Sequence, residues 1–142
     1  MQFIPYLGFN GNCRDALEFY AKTLGAKLEL MEFEGTPAAE HVPASARNQI
    51  MHGNLTLNGN TILMGSDAGG MPFEKMQGMQ VALVLEDVAE GERIFTTLAD
   101  GGAVTMPFEK TFWAERFGMC VDRFGTPWMV NAGMLAEAGS GN

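Results

Sequence analysis

Few side chains in this chain have types and spacing that could do chemistry, and the first of them is His52. It lies in QIMHGNLTLNGNTILMGSD, where strand alternation puts His52, Asn54 and Thr56 on one face and Met51, Leu55 and Leu57 on the other. A neutral imidazole on a polar strand face can take a proton or donate a hydrogen bond near neutral pH. His41 sits in a Pro-rich segment, and its spacing from His52 fits no standard metal-ligand pair. Asp67 closes the same stretch in GSD, where it can meet a cation or a polar substrate atom. A short acid before Ala-Gly-Gly more often caps turn amides, and that is the expected role. Cys13 and Cys120 are isolated, with no CxxC spacing, and read as free thiols.

Further along, DRFGTPWMVN joins two strand-like runs through a tight corner. Gly125 suits a positive φ there, and Pro127 gives up a ladder donor where a strand begins. Asp122 can accept turn amides, and Arg123 can pair with it or with a neighbouring acid. Alternation puts Met129 and Asn131 on one face and Trp128 on the other, packed under a helix. Trp113 is therefore the aromatic expected in a pocket. The same parity turns Gln80, Ala82 and Val84 toward Met129, and Val81, Leu83 and Leu85 toward the helix. The resulting wall is amide, thioether and aliphatic, suited to binding more than to strong acid–base work.

The elements that must position these residues repeat. QFIPYLGF reads as a strand, and RDALEFYAKTLG as a helix stopped by Gly25, with Ala16, Leu17, Tyr20 and Leu24 at helical spacing. AKLELMEF follows as a strand, and then EGTPAAEHVPASARN (34–48) as a loop long enough to resemble a lid. The His52 stretch is a hairpin turning at Asn58-Gly59. After the glycine-rich AGGMPFEKMQG comes a second round. MQVALVLED reads as a strand, VAEGERIFTTLADGG as a helix, and AVTMPF, FWAERFGMCVD and PWMVNAG as strands. The boundaries are module one 1–68, linker 69–78, module two 79–134 and tail 135–142. The fold expected is α+β: two βαβββ modules in tandem, forming a curved sheet around an open cup.

Composition narrows the function. The chain has 142 residues, enough for one domain of two half-size modules; it is 46% hydrophobic and 18% charged, which suits a folded core. Seventeen acids against nine bases give a net charge of -8, which would repel a phosphate backbone and argues against nucleic acid. No apolar run approaches the roughly 18 residues of a membrane span, and MQFIPYLGFNG lacks the features of a signal peptide. A cytoplasmic protein is expected. Eleven methionines are many for this length and serve as core filler or as an adaptable apolar pocket.

Three phrases occurring in order, FNGNCRDALEFYAKTLGAKLEL, MHGNLTLNGNTILMGSD and DRFGTPWMVN, resemble the vicinal oxygen chelate superfamily of glyoxalases, bleomycin-resistance proteins and dioxygenases. The similarity is nearest the PhnB-like branch and runs from about Ile4 to Gly133. It implies paired βαβββ modules, frequent homodimers and, in the enzymes, a divalent metal held in the cup by His and Glu. Such a metal accepts two neighbouring substrate oxygens and stabilises the charge that develops on them.

The ligand positions depart from that pattern. The enzymes' H-x-A-x-x-x-x-D becomes QVALVLED, which places Gln80 at the ligand position. Their D-x-x-G-x-x-W-E becomes DRFGTPWM, which places Met129. The first-strand position falls near Ile4 or Pro5, and the fourth-strand position on Leu63 or Met64. An amide, a thioether and hydrocarbons are poor ligands for these ions, so no cofactor is expected, although the resemblance makes a divalent metal conceivable.

The expected function is the binding of a small organic molecule by Gln80, Met129, Asn131, Trp113, Asn54 and Asp67, with His52 as the one catalytic candidate. The alternative is a metal-dependent lyase, isomerase or dioxygenase with His52 and Asp67 as unconventional ligands; a third reading is a dimeric interaction protein. PhnB-like proteins are sometimes labelled demethylubiquinone methyltransferases. That activity finds no support here, because GSDAGGMP leads into a linker and not into a helix.

Overall fold

The computed structural model describes residues 1–135, so the expected tail lies outside the described residues beyond Leu135. The chain divides into two compact units at Lys75/Met76, within the stretch read as a linker.

The first unit runs β1 (Tyr6–Phe9), α1 (Cys13–Leu24), β2 (Lys27–Glu32), β3 (Ile50–Leu57) and β4 (Asn60–Asp67). Its sheet has the order β1-β4-β3-β2, with β1 parallel to β4 and the other pairs antiparallel. Helix α1 buries Ala16, Leu17 and Tyr20, and Gly25 ends it in the left-handed region at φ 69. The β3–β4 corner takes positive φ at both Asn58 and Gly59, as a two-residue hairpin requires.

Three readings need correction. The first strand begins at Tyr6 and not at Gln2. The 34–48 segment is not plain loop: it holds two 3-10 turns, Pro37–His41 and Ala44–Ala46, the first capped by the Thr36 hydroxyl accepting from Ala38 N–H. The face given to Met51 was also wrong. In the β2–β3 ladder Met31 opposes His52 while Glu32 opposes Ile50, so Met51 is the extra residue of a bulge and drops out of the alternation. Ile50, 1% exposed, is buried instead.

The second unit repeats the plan with β5 (Val81–Leu85), α2 (Val88–Ala99), β6 (Ala103–Glu109), β7 (Ala114–Val121) and β8 (Pro127–Met134), in the order β5-β8-β7-β6. Asp87 caps α2 by accepting from Glu90 N–H. At the DRFGTPW corner, Asp122 Oδ1 accepts from the amides of Phe124 at 2.9 Å and Thr126 at 3.0 Å. Its Oδ2 accepts from the Trp128 indole N–H at 2.8 Å. Gly125 has φ 97, and Pro127 opens β8 opposite Val121. Arg123 lies over the Phe124 ring, 4.7 Å from its centroid.

In both units the helix approaches the sheet at a glycine. A Cβ on Gly53 would overlap Leu17 Cδ1 of α1, and a Cβ on Gly118 would lie 2.8 Å from the Phe95 ring of α2 and 3.0 Å from Phe108 Cα. Gly53 opposes Gly65 on the strand beside β1, and Gly118 opposes Val130 on the strand beside β5. These pairs align the two sheets residue for residue. Each sheet thus has one face under its helix and one open face.

Candidate functional site

On the open face of the first sheet, Tyr6, Met64, Asn54 and Glu29 form one row across β1, β4, β3 and β2. His52, two residues from Asn54, shares that face and opposes Met31. The Tyr6 hydroxyl reaches His52 Nδ1 at 3.1 Å, with the two ring centroids 5.7 Å apart. Asn54 Nδ2 donates to Thr56 Oγ1 at 3.2 Å, while Asn54 Oδ1 is buried with no hydrogen-bond partner. Sequence reading missed Tyr6. The alternation of YLGF offered a signal, but only the parallel β1–β4 register shows that a first-strand side chain comes within reach of the third strand.

The corresponding row of the second sheet is Ala82, Met129, Met119 and Met106, and the next is Val84, Asn131, Phe117 and Glu109. Trp113 closes the Asn131 end. Its indole N–H donates to Asn131 Oδ1 at 3.1 Å, and its ring meets the edges of Phe112 and Phe117. Val84 is 62% exposed and Met106 43%. Trp128, by contrast, is 1% exposed on the helix side. The structure therefore brings Met129, Asn131 and Trp113 together, with the parity read from sequence. Gln80 is exposed and immediately precedes β5 instead of lying within it.

Asp67 belongs to neither open face. Its Oδ1 accepts from the amides of Gly11 at 2.7 Å and Cys13 at 3.1 Å, and its Oδ2 from Ile50 N–H at 2.8 Å. It pins the start of α1 to β3 and β4, where a cap on its own turn was expected. The geometry does not bring Asp67 and His52 together as a ligand pair.

The metal expected of the enzymes can be tested against the donor set. Because Tyr6 aligns with Ala82 and Met64 with Met129, the four positions are Ile4, Met64, Gln80 and Met129. Neither the alkyl chain and thioether of the first unit nor the amide and thioether of the second suits a divalent first-row ion. Among the described residues, no group of three or more His, Cys, Asp or Glu could hold a metal ion.

Nor do the thiols offer a nucleophile. Burial, and then the charge of Asp67, push Cys13 up to about 12. Burial, and then Asp122, push Cys120 up to about 11. Both remain protonated at neutral pH and are poor attacking groups.

Residues 1–131 match the family described as 3-demethylubiquinone-9 3-methyltransferase. The chain is 44% identical to PA1353 of Pseudomonas aeruginosa, with a TM-score of 0.84 and 93% and 97% of the two chains covered. It is 21% identical to a PhnB protein of Bacillus cereus (TM-score 0.76; 93% and 99% covered). A Burkholderia phytofirmans protein of the glyoxalase/bleomycin resistance/dioxygenase family shares the fold at 8% identity (TM-score 0.59; 91% and 97% covered).

Proposed function

The chain belongs to the PhnB-like 3-demethylubiquinone-9 3-methyltransferase family, and from that premise we propose that it binds a small, flat, largely apolar organic molecule on the open face of its second sheet, without a metal. The observation that carries this reading is the run Ala82, Met129, Met119 and Met106, with Trp113 held against Asn131 and Phe117 of the adjacent row. Thioethers are polarisable, adapt to irregular shapes and pack well on aromatic edges. Asn131 adds one polar handle that fixes the indole and can orient a ligand carbonyl or hydroxyl.

The methyl transfer named in the family description finds no suitable cofactor site among the described residues. A methyl donor of the usual kind sits at a helix N-terminus beyond a parallel sheet. Here each sheet has a single parallel pair of strands. Asp67 holds the Cys13 N–H that begins α1 and the Gly11 N–H before it, and Asp87 holds Glu90 N–H of α2. A metal-dependent lyase, isomerase or dioxygenase using His52 and Asp67 is likewise disfavoured, since Asp67 already receives three amides.

The test is titration with the neutral fluorophore N-phenyl-1-naphthylamine. Its emission should rise saturably with the folded protein, and Met129→Ala or Trp113→Ala should weaken binding about tenfold, the loss from removing roughly 1.4 kcal/mol of apolar contact. Binding unchanged in both variants refutes the assignment. A homodimer belongs to the same proposal, and light scattering at the mass of a single chain counts against it.

A further inference from the structure

The hydrogen bond between Tyr6 and His52 joins two side chains that the fold does not need for its core, since Tyr6 is 52% exposed and His52 stands on the open face of the first sheet. The geometry points to a second binding site, in which Tyr6 and His52 together receive the proton of a weakly acidic hydroxyl on a small organic ligand, such as an enol or an electron-poor phenol. This goes beyond the second-sheet proposal and stands or falls apart from it.

With the Tyr6 O–H donating to His52 Nδ1, the imidazole carries its own proton on Nε2, and the phenol oxygen keeps room to accept a hydrogen bond from a ligand. When a ligand O–H approaches that oxygen, its proton passes to Tyr6 Oη as the Tyr6 proton passes to His52 Nδ1. The products are a ligand oxyanion, a neutral tyrosine donating to it and an imidazolium behind the tyrosine. Only O–H and N–H bonds change, charge is conserved and no redox partner is required. The ligand must be a weak acid, since an imidazole can hold the proton only if the hydroxyl is not much less acidic than imidazolium.

The surroundings favour this use. Glu29 and Lys27 are the other ionisable groups on this face, and they pair with each other at 3.7 Å, so neither is dedicated to His52. Met31, Met64 and Ser66 of the neighbouring strands add no charge. The buried, unpartnered Oδ1 of Asn54, in the same row as Tyr6, adds an acceptor still in need of a donor.

The probe is 4-nitrophenol, whose visible band reports its ionisation, used at a pH just below its own pKa. Addition of the protein should increase the nitrophenolate band saturably, with a matching shift of the His52 ring nitrogens toward imidazolium in the nitrogen NMR spectrum. Tyr6→Phe and His52→Gln should each abolish the colour change, while circular dichroism confirms that both variants fold. A band unchanged by the protein, or an increase that persists in both variants, overturns the inference. Naphthylamine binding by the wild type would survive that outcome, which separates this failure from failure of the second-sheet site.

Discussion

At matching places in the two sheets, Tyr6, Met64, Asn54 and Glu29 of the first stand where Ala82, Met129, Met119 and Met106 stand in the second. His52 has Phe117 as its counterpart. On the helix side the two agree far better, with Leu7 matching Leu83 and Gly53 matching Gly118 at the closest approach of each helix. The comparison teaches that the βαβββ plan is specified by the residues under the helix. The open faces differ instead in chemistry: hydrogen-bonding side chains in one unit, sulfur and aromatic edges in the other.

Asp67 and Asp122 sharpen the comparison most. Both accept N–H donors, but those of Asp67 come from α1, β3 and the turn before α1, whereas Asp122 accepts from its own corner and Trp128. Asp67→Ala should cost about 3–5 kcal/mol in urea unfolding, because amides from separate segments lose the charged acceptor that joins them; Asp122→Ala should cost about 2–3, because most of its donors are already held near one another by the local chain. An effect of Asp67→Ala below about 1 kcal/mol would show that the first unit does not depend on this clamp.

The glycine pair comes next. Gly118→Ala should be destabilised by about 2–3 kcal/mol, since the new methyl meets Phe108 Cα as well as a ring. Gly53→Ala meets the ends of Leu17 and Leu30, which can turn aside, and should lose about 1–2 kcal/mol. The reverse order in thermal melts would place the tighter helix contact in the first unit.

The smallest effect concerns the buried thiols. Both folded values are raised above 9.0, so the unfolded chain releases these protons first, and stability should decline as pH rises from 9 toward 11. Below pH 9 the contribution is fully present. A Cys13→Ala, Cys120→Ala double variant should show a flatter melting-temperature profile over that window, and an unchanged slope would assign the decline to other groups.

Much of this was legible in the sequence because its signals are local. Gly25, Asn58-Gly59 and the DRFGTPW corner announce a helix stop and two turns by backbone chemistry alone, and alternation from Trp128 places Met129 and Asn131 on the right face. What escaped depends on pairing between distant segments. The bulge that displaces Met51 arises from a register shift against β2. The Tyr6–His52 bond spans an intervening strand, and the Asp67 clamp reaches Gly11 and Cys13, more than 50 positions away in the chain, as well as Ile50 at the start of β3. No periodicity within one element encodes such meetings.

The most direct test of the central claim, that positions 4, 64, 80 and 129 offer hydrocarbon, sulfur and amide where a metal enzyme needs imidazole and carboxylate, is calorimetric titration of chelator-treated protein with Mn, Zn and Ni in turn. No saturable binding near one ion per chain is predicted for any of them. A tight one-to-one isotherm that disappears in Gln80→Ala or Met129→Ala would contradict the account.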